Sequence, residues 1–216
     1  MKLYPIATAR LRALEQTWQK TINRFRGPAP MGLALAHMLA ESNGKTEPLV
    51  FDARRRPVGL MGIPLRVGSR YKYDETYLKV PVNNIYVWSL KTNDDAYYLH
   101  QTYPTTWTTP DYDFWLAVRL LFIMGNTSFN NLLTAAKADG STYTRISGVQ
   151  LWVRTRMDET KTFGLTLRKI VEVMDHLDDV RNAMQTIDGK DHASYAFSDA
   201  PTLSPGAPHT VLEATI

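Results

Sequence analysis

The residues best suited to chemistry lie between Ala34 and Pro64, in the stretch ALAHMLAESNGKTEPLVFDARRRPVGLMGIP. One glutamate, Glu41, ends an apolar helical pattern and is followed by a turn and then by Gly59-Leu60-Met61. A carboxyl group that an apolar helix carries into a cleft can keep its proton at neutral pH, which is the state that general-acid cleavage of a glycosidic bond uses. Glu47 and Asp52 lie between these two motifs. Either could serve as a second carboxylate at a separation suited to hydrolysis, and either also reads as a solvated loop residue. His37 stands four residues before Glu41 and so shares its helical face, where it lines the cleft or packs within the fold. With no His-Glu-x-x-His pattern and no carboxylate cluster, no metal and no cofactor are assigned.

The elements that must position these groups follow from the spacing of apolar residues. Leu11, Leu14, Trp18, Ile22 and Phe25 recur at helical intervals, so residues 8 to 26 are expected to form an amphipathic helix. Gly27-Pro28-Ala29-Pro30 breaks it. A second helix is expected from Met31 to Glu41, apolar on most faces and therefore buried, with Ser42-Asn43-Gly44 as its stop. Residues 45 to 113 are rich in Tyr, Thr, Asn and Pro and carry short alternating runs such as Ile85-Tyr86-Val87-Trp88, which read as loops and short strands with room for one helix. Phe114 to Met124, the most apolar run, is expected to be a central helix, and Ser128 to Ala138 another. Phe163 to Ile187 reads as a long amphipathic helix through Leu167, Ile170, Val171, Met174, Leu177 and Val180. From residue 190 the composition turns to Ser, Ala, Pro and Gly, as in an extended arm or a disordered tail.

Composition narrows the classes of function. The chain has 216 residues, 44% of them apolar and 21% charged, which suits one domain over residues 1–189 followed by the tail 190–216. It contains no cysteine, which excludes disulfides and thiolate metal sites. A net charge of +4 is mild. The Arg54-Arg55-Arg56 run could contact an anionic polymer, but no nucleic-acid-binding signature accompanies it, and no nucleic-acid partner is expected. The aromatic belt from Tyr71 to Tyr112 is suited to packing and to the flat faces of sugars. The N-terminus has no continuous apolar core of a signal peptide and nothing downstream approaches a membrane span, so synthesis in the cytoplasm without a signal peptide is expected.

The order Glu41-Ser42, then Gly59-Leu60-Met61 with Pro64, then Pro81 and Asn83-Asn84-Ile85, then Phe122-Ile123-Met124-Gly125, resembles the soluble lytic transglycosylase family of lysozyme-like enzymes over residues 31–138. The family's corresponding patterns are Glu-Ser at a helix end, Gly-Leu-Met-Gln, an Asn-Ile step that opens the next helix, and Tyr-Asn-Ala-Gly. This chain departs from them at Gly62, Phe122 and Ile123. The resemblance implies a mainly α fold (α+β, lysozyme-like): a compact helical domain with a small loop and strand region. It implies Glu41 as the catalytic acid and base on the bond between N-acetylmuramic acid and N-acetylglucosamine of peptidoglycan, with an anhydro sugar as product. Ser42, Gly59, Leu60, Met61, Asn84 and Phe122 would line the substrate. A wall-cleaving enzyme expected to lack a signal peptide needs delivery, which suggests a bacteriophage virion protein acting on the periplasmic wall, tethered to other virion proteins by its tail. The alternative is a non-catalytic virion or secretion-machine component that keeps the fold for packing.

Overall fold

The computed structural model of the chain describes residues 6–46, 56–107, 111–140, 143–155 and 167–189. Over these residues the fold is mainly α. Helix α1 (Thr8–Phe25) buries Leu11 and Ile22 on the stripe that its apolar spacing predicts. Helix α2 (Met31–Ser42) is buried at every position, as expected of a helix that is apolar nearly all round.

Both ends of α2 are tied by chemistry that can be named. Pro30 precedes the helix and supplies no side-chain cap. The carboxylate of Asp188 does so from the far end of the chain, accepting the N–H of Met31 at 2.9 Å and of Gly32 at 2.8 Å. An anion at the open N–H groups of a helix start is favoured both by hydrogen bonding and by the helix dipole. At the other end Asn43 turns left-handed (φ 56°) and its N–H returns to the Leu39 carbonyl at 2.9 Å. This is the stop that Ser42-Asn43-Gly44 predicts.

A short antiparallel hairpin follows, β1 (Pro57–Val58) paired with β2 (Ile63–Pro64), with Pro57 opposite Pro64 and Val58 opposite Ile63. Then come α3 (Leu65–Arg70) and α4 (Glu75–Lys79), the latter capped by the Asp74 carboxylate on the Tyr77 N–H at 2.8 Å.

The loop reading of residues 45 to 113 needs correction, because α5 (Pro81–Thr102) is a helix of 22 residues. Its inward face carries Ile85, Trp88, Ala96 and Leu99 at helical spacing. Asn84, Ser89, Lys91, Thr92 and Asp95 are buried with them. Those polar residues hid the period, and Ile85-Tyr86-Val87-Trp88 imitated a strand. Pro81 occupies the first helical turn, where its missing N–H costs nothing.

Four further helices complete the described chain: α6 (Tyr112–Met124), α7 (Asn126–Ala138), α8 (Ile146–Thr155) and α9 (Leu167–Asp188). The central, Ser128-to-Ala138 and long amphipathic helices of the sequence reading correspond to α6, α7 and α9, whereas α8 was not anticipated. Helix α2 packs against α1 and α9, and α6 packs against α5, α7, α8 and α9. No helix among the described residues is long and apolar enough to cross a membrane. Glu47, Asp52, Arg54, Arg55, residues 163–166 and the tail 190–216 lie outside the described residues.

Candidate active site

Glu41 occupies the last turn of α2, with only 9% of its surface exposed. It is not surrounded by apolar groups alone. Its Oε1 accepts a hydrogen bond from Nη2 of Arg119 at 3.1 Å, and the arginine, on α6, is itself buried. Two histidines complete the group. Nη1 of Arg119 lies 2.5 Å from Nδ1 of His37, and its Nε and Nη2 each lie 3.2 Å from Nε2 of His176 on α9. Helices α2, α6 and α9 therefore meet at one guanidinium.

The protonation of both rings follows from this geometry. A guanidinium stays charged and only donates, so each imidazole nitrogen facing it must present a lone pair. His37 then carries its proton on Nε2, which donates to the Met61 carbonyl at 3.0 Å. His176 carries its proton on Nδ1, an atom that is buried and has no hydrogen-bond partner among the described residues. Burial, and then the charge of Arg119, hold His176 well below the usual imidazole range, so it is neutral at physiological pH.

The turn of the hairpin closes over this cluster. The Gly62 N–H bonds the Gly59 carbonyl at 3.0 Å, and both glycines have positive φ, 73° at Gly59 and 55° at Gly62. A Cβ on Gly62 would stand 2.8 Å from Cβ of Glu41 and 3.1 Å from its Oε2. Glycine at this position has a steric meaning: the turn touches the glutamate, and a side chain would displace it. Asn84 latches the turn. Its Oδ1 accepts the Met61 N–H at 2.6 Å, and its Nδ2 donates to the carbonyls of Val58 and Leu78, each at 2.9 Å.

The residues assigned from sequence are brought together, though not in one role. Ser42 is fully buried and spends its hydroxyl on its own helix end, donating to the Met38 carbonyl at 3.0 Å and accepting the Gly44 N–H at 3.1 Å. Leu60 and Met61 are core residues, and Asn84 is fully buried as the latch. Gly59 makes room for that latch, since a Cβ there would meet Asn84 Nδ2 and the Leu78 carbonyl at 2.4 Å. As the fold stands, these five are taken up in packing and hydrogen bonds of the hairpin and the helix end. Phe122 is edge-on to His37, with ring centroids 4.7 Å apart, and retains 8% exposure. The Arg119 guanidinium carbon and Lys91 Nζ lie 5.9 and 5.1 Å from its ring centroid.

Sequence reasoning missed Arg119 and His176. The available signal was a lone arginine inside FWLAVRLLFIM, since a charge in a buried run must be paired. It does not say with what.

A cavity of about 10 Å³, the size of one water, lies among Leu33, His37, Trp88, Thr92, Val118, Arg119 and Phe122. Thr92 Oγ1 has no partner among the described residues, and a bound water there would satisfy it. A wider cleft, of about 460 Å³, runs along α6, α8 and α9 past Asp113, Gln150, Arg154 and Arg181. It shares no residue with the Glu41 cluster, and Arg154 and Arg181 are paired with Asp178 and Asp113. We therefore place the candidate chemistry at Glu41.

Next to the cluster, Lys91 and Asp95 form a buried ion pair on α5. Burial raises the Asp95 carboxyl from 3.8 to about 6 despite the attraction of Lys91. A carboxyl raised in the fold contributes stability that is fully present below its unfolded value and is lost as pH rises through about 6. His176 works in the opposite sense. Its depressed value contributes stability that is present above 6.5 and is lost as pH falls. The two oppose each other in the same acidic window, so Asp95→Asn should lose stability more steeply than the wild type between about pH 6.5 and pH 4.5. Urea unfolding at several pH values measures this, and parallel curves for the two proteins would contradict it.

No family model matches the chain, and neither a curated protein nor a solved structure does.

Proposed function

We propose that the protein is a peptidoglycan lytic transglycosylase in which Glu41 is the acid and base, and that it works as part of a phage particle acting on the periplasmic wall. The observation that carries the reading is the asymmetry of one carboxyl group. Glu41 sits at a helix end against a Gly-Leu-Met turn, with Oε1 held by Arg119 and Oε2 without a hydrogen-bond partner among the described residues. A single carboxyl suffices for this chemistry. In the structure Glu41 is the ion-pair partner of Arg119; the reacting state carries a proton on Oε2, which passes to the glycosidic oxygen as the bond from C1 of N-acetylmuramic acid breaks. The C6 hydroxyl of the same sugar then bonds to C1 and returns its proton to Oε2. No water is consumed, and the products are a free 4-hydroxyl and a 1,6-anhydro end.

Removing a general acid typically costs 10²–10⁴ in rate, so Glu41→Gln should release soluble anhydro-muropeptides at least about 100-fold more slowly than the wild type. Mass spectrometry of fragments from purified walls reads both the rate and the ends. Ordinary reducing ends would point to hydrolysis and to a second carboxylate such as Glu47 or Asp52. Equal release by wild type and variant would end the role of Glu41.

The burial of Glu41 in an ion pair favours a second reading, a virion or secretion-machine component that keeps this packing without catalysis. A folded wild type that releases nothing from several wall types would establish that reading over the first.

A further inference from the structure

We propose that Arg119 is a positioning residue: clamped by His37 and His176, its guanidinium holds Oε1 of Glu41 and leaves Oε2 as the oxygen that exchanges the proton. The inference rests on the transglycosylase reading and says how that site is built. A free carboxyl turns about its last bond and presents either oxygen. Here Oε1 is taken, at 3.1 Å, and Oε2 lies on the side of the Gly62 turn. An arginine has a long, freely rotating stem, so its fork must be aimed before it can aim anything else. Two imidazoles from different helices do this, His37 from α2 and His176 from α9. Among the described residues, charged groups near the guanidinium include Glu41, from α2, and the Lys91–Asp95 pair, from α5, across the Phe122 ring.

His176 supplies the second observation. As an acceptor for Arg119 it must bury its Nδ1–H without a partner among the described residues. An apolar residue at this point of the α6–α9 contact would avoid that unsatisfied donor, so packing alone gives no reason for a histidine. Accepting from the guanidinium does.

Arg119→Lys keeps the charge but cannot bond Oε1 and both rings along one planar fork. Its turnover on purified peptidoglycan should fall at least about tenfold at saturation, with the half-saturating concentration within about twofold of wild type. His176→Gln retains an acceptor and should keep more than about half the turnover, while His176→Leu, without one, should fall with Arg119→Lys. A merely structural histidine would lower melting temperature in both variants without separating their turnover. Should Arg119→Lys fail to fold, the His176 pair carries the test. Long-range ¹H–¹⁵N correlation of the wild type adds a readout apart from activity. It should find the proton on Nε2 of His37 and on Nδ1 of His176, and the opposite tautomer at either ring would overturn the clamp. If Glu41→Gln abolishes release while Arg119→Lys turns over at the wild-type rate, or the two His176 variants behave alike, only this inference fails. If the wild type releases nothing, or Glu41→Gln changes nothing, the transglycosylase reading fails and this inference falls with it.

Discussion

Arg119→Met should destabilise the fold by about 3–5 kcal/mol, the usual consequence of removing one partner from a buried ion pair. The carboxylate of Glu41 would remain in the same nearly closed space without its guanidinium, and the lone pairs of His37 and His176 would lose their donors at the same time. The stem of the arginine matters little to this result, because methionine fills a similar volume. Changing both charged partners is the informative control. When an ion pair is replaced by apolar residues of like size, the desolvation of both charges is removed together, and the result is often neutral. Glu41→Leu combined with Arg119→Met should therefore recover a large part of the loss, short of all of it, since two imidazole acceptors stay unpaired. Urea unfolding of the single and double variants gives the coupling directly. If the single Arg119 variant costs less than about 1 kcal/mol, the buried cluster is not held as described.

Gly32→Ala is expected to cost about 3 kcal/mol or more, which is large for one added methyl group. An alanine is ordinarily better than glycine inside a helix by about 1 kcal/mol, so propensity argues for the opposite sign. Packing decides. A Cβ at this position would stand 2.6 Å from Cα of Met184 and 2.7 Å from both the Ala183 carbonyl and Oδ2 of Asp188. Two of those three atoms are backbone of α9 and cannot turn aside. The third belongs to the carboxylate that caps α2, so the variant both separates the helices and disturbs the cap. Because α2 carries Glu41 and His37 while α9 carries His176, the displacement should also reach the Arg119 cluster. Thermal unfolding tests the stability claim, and a melting temperature equal to or above that of the wild type would refute the close crossing of α2 and α9.

The two substitutions mark the boundary of what the chain discloses before it folds. Apolar spacing is a local property, so α1, α2, α6 and α7 could be read from it, as could the α2 stop at Ser42-Asn43-Gly44. The position of Glu41 at a helix end was legible for the same reason. Helix α5 was not, because Asn84, Lys91, Thr92 and Asp95 face inward where apolar residues would have marked the period. Each has a local or tertiary reason to be there: Asn84 latches the turn, and Lys91 pairs with Asp95 one helical turn on.

The site divides in the same way. Glu41 and its neighbours along the chain were visible as residue types at suggestive spacing. Their tasks were not, since Ser42, Leu60, Met61 and Asn84 proved to be buried and engaged in holding the hairpin and the helix end. The sequence by itself determined a mainly helical chain with a glutamate ending its most buried helix, because periodicity, caps and turns act over a few residues. Only the tertiary structure decided what that glutamate meets. Arg119 lies 78 residues from Glu41 and 57 from His176, and such separations leave no local trace. The packing of α2 against α9, and of α6 against α9, brings the three side chains within hydrogen-bond reach, and the balance between burying charge and pairing it is struck only there.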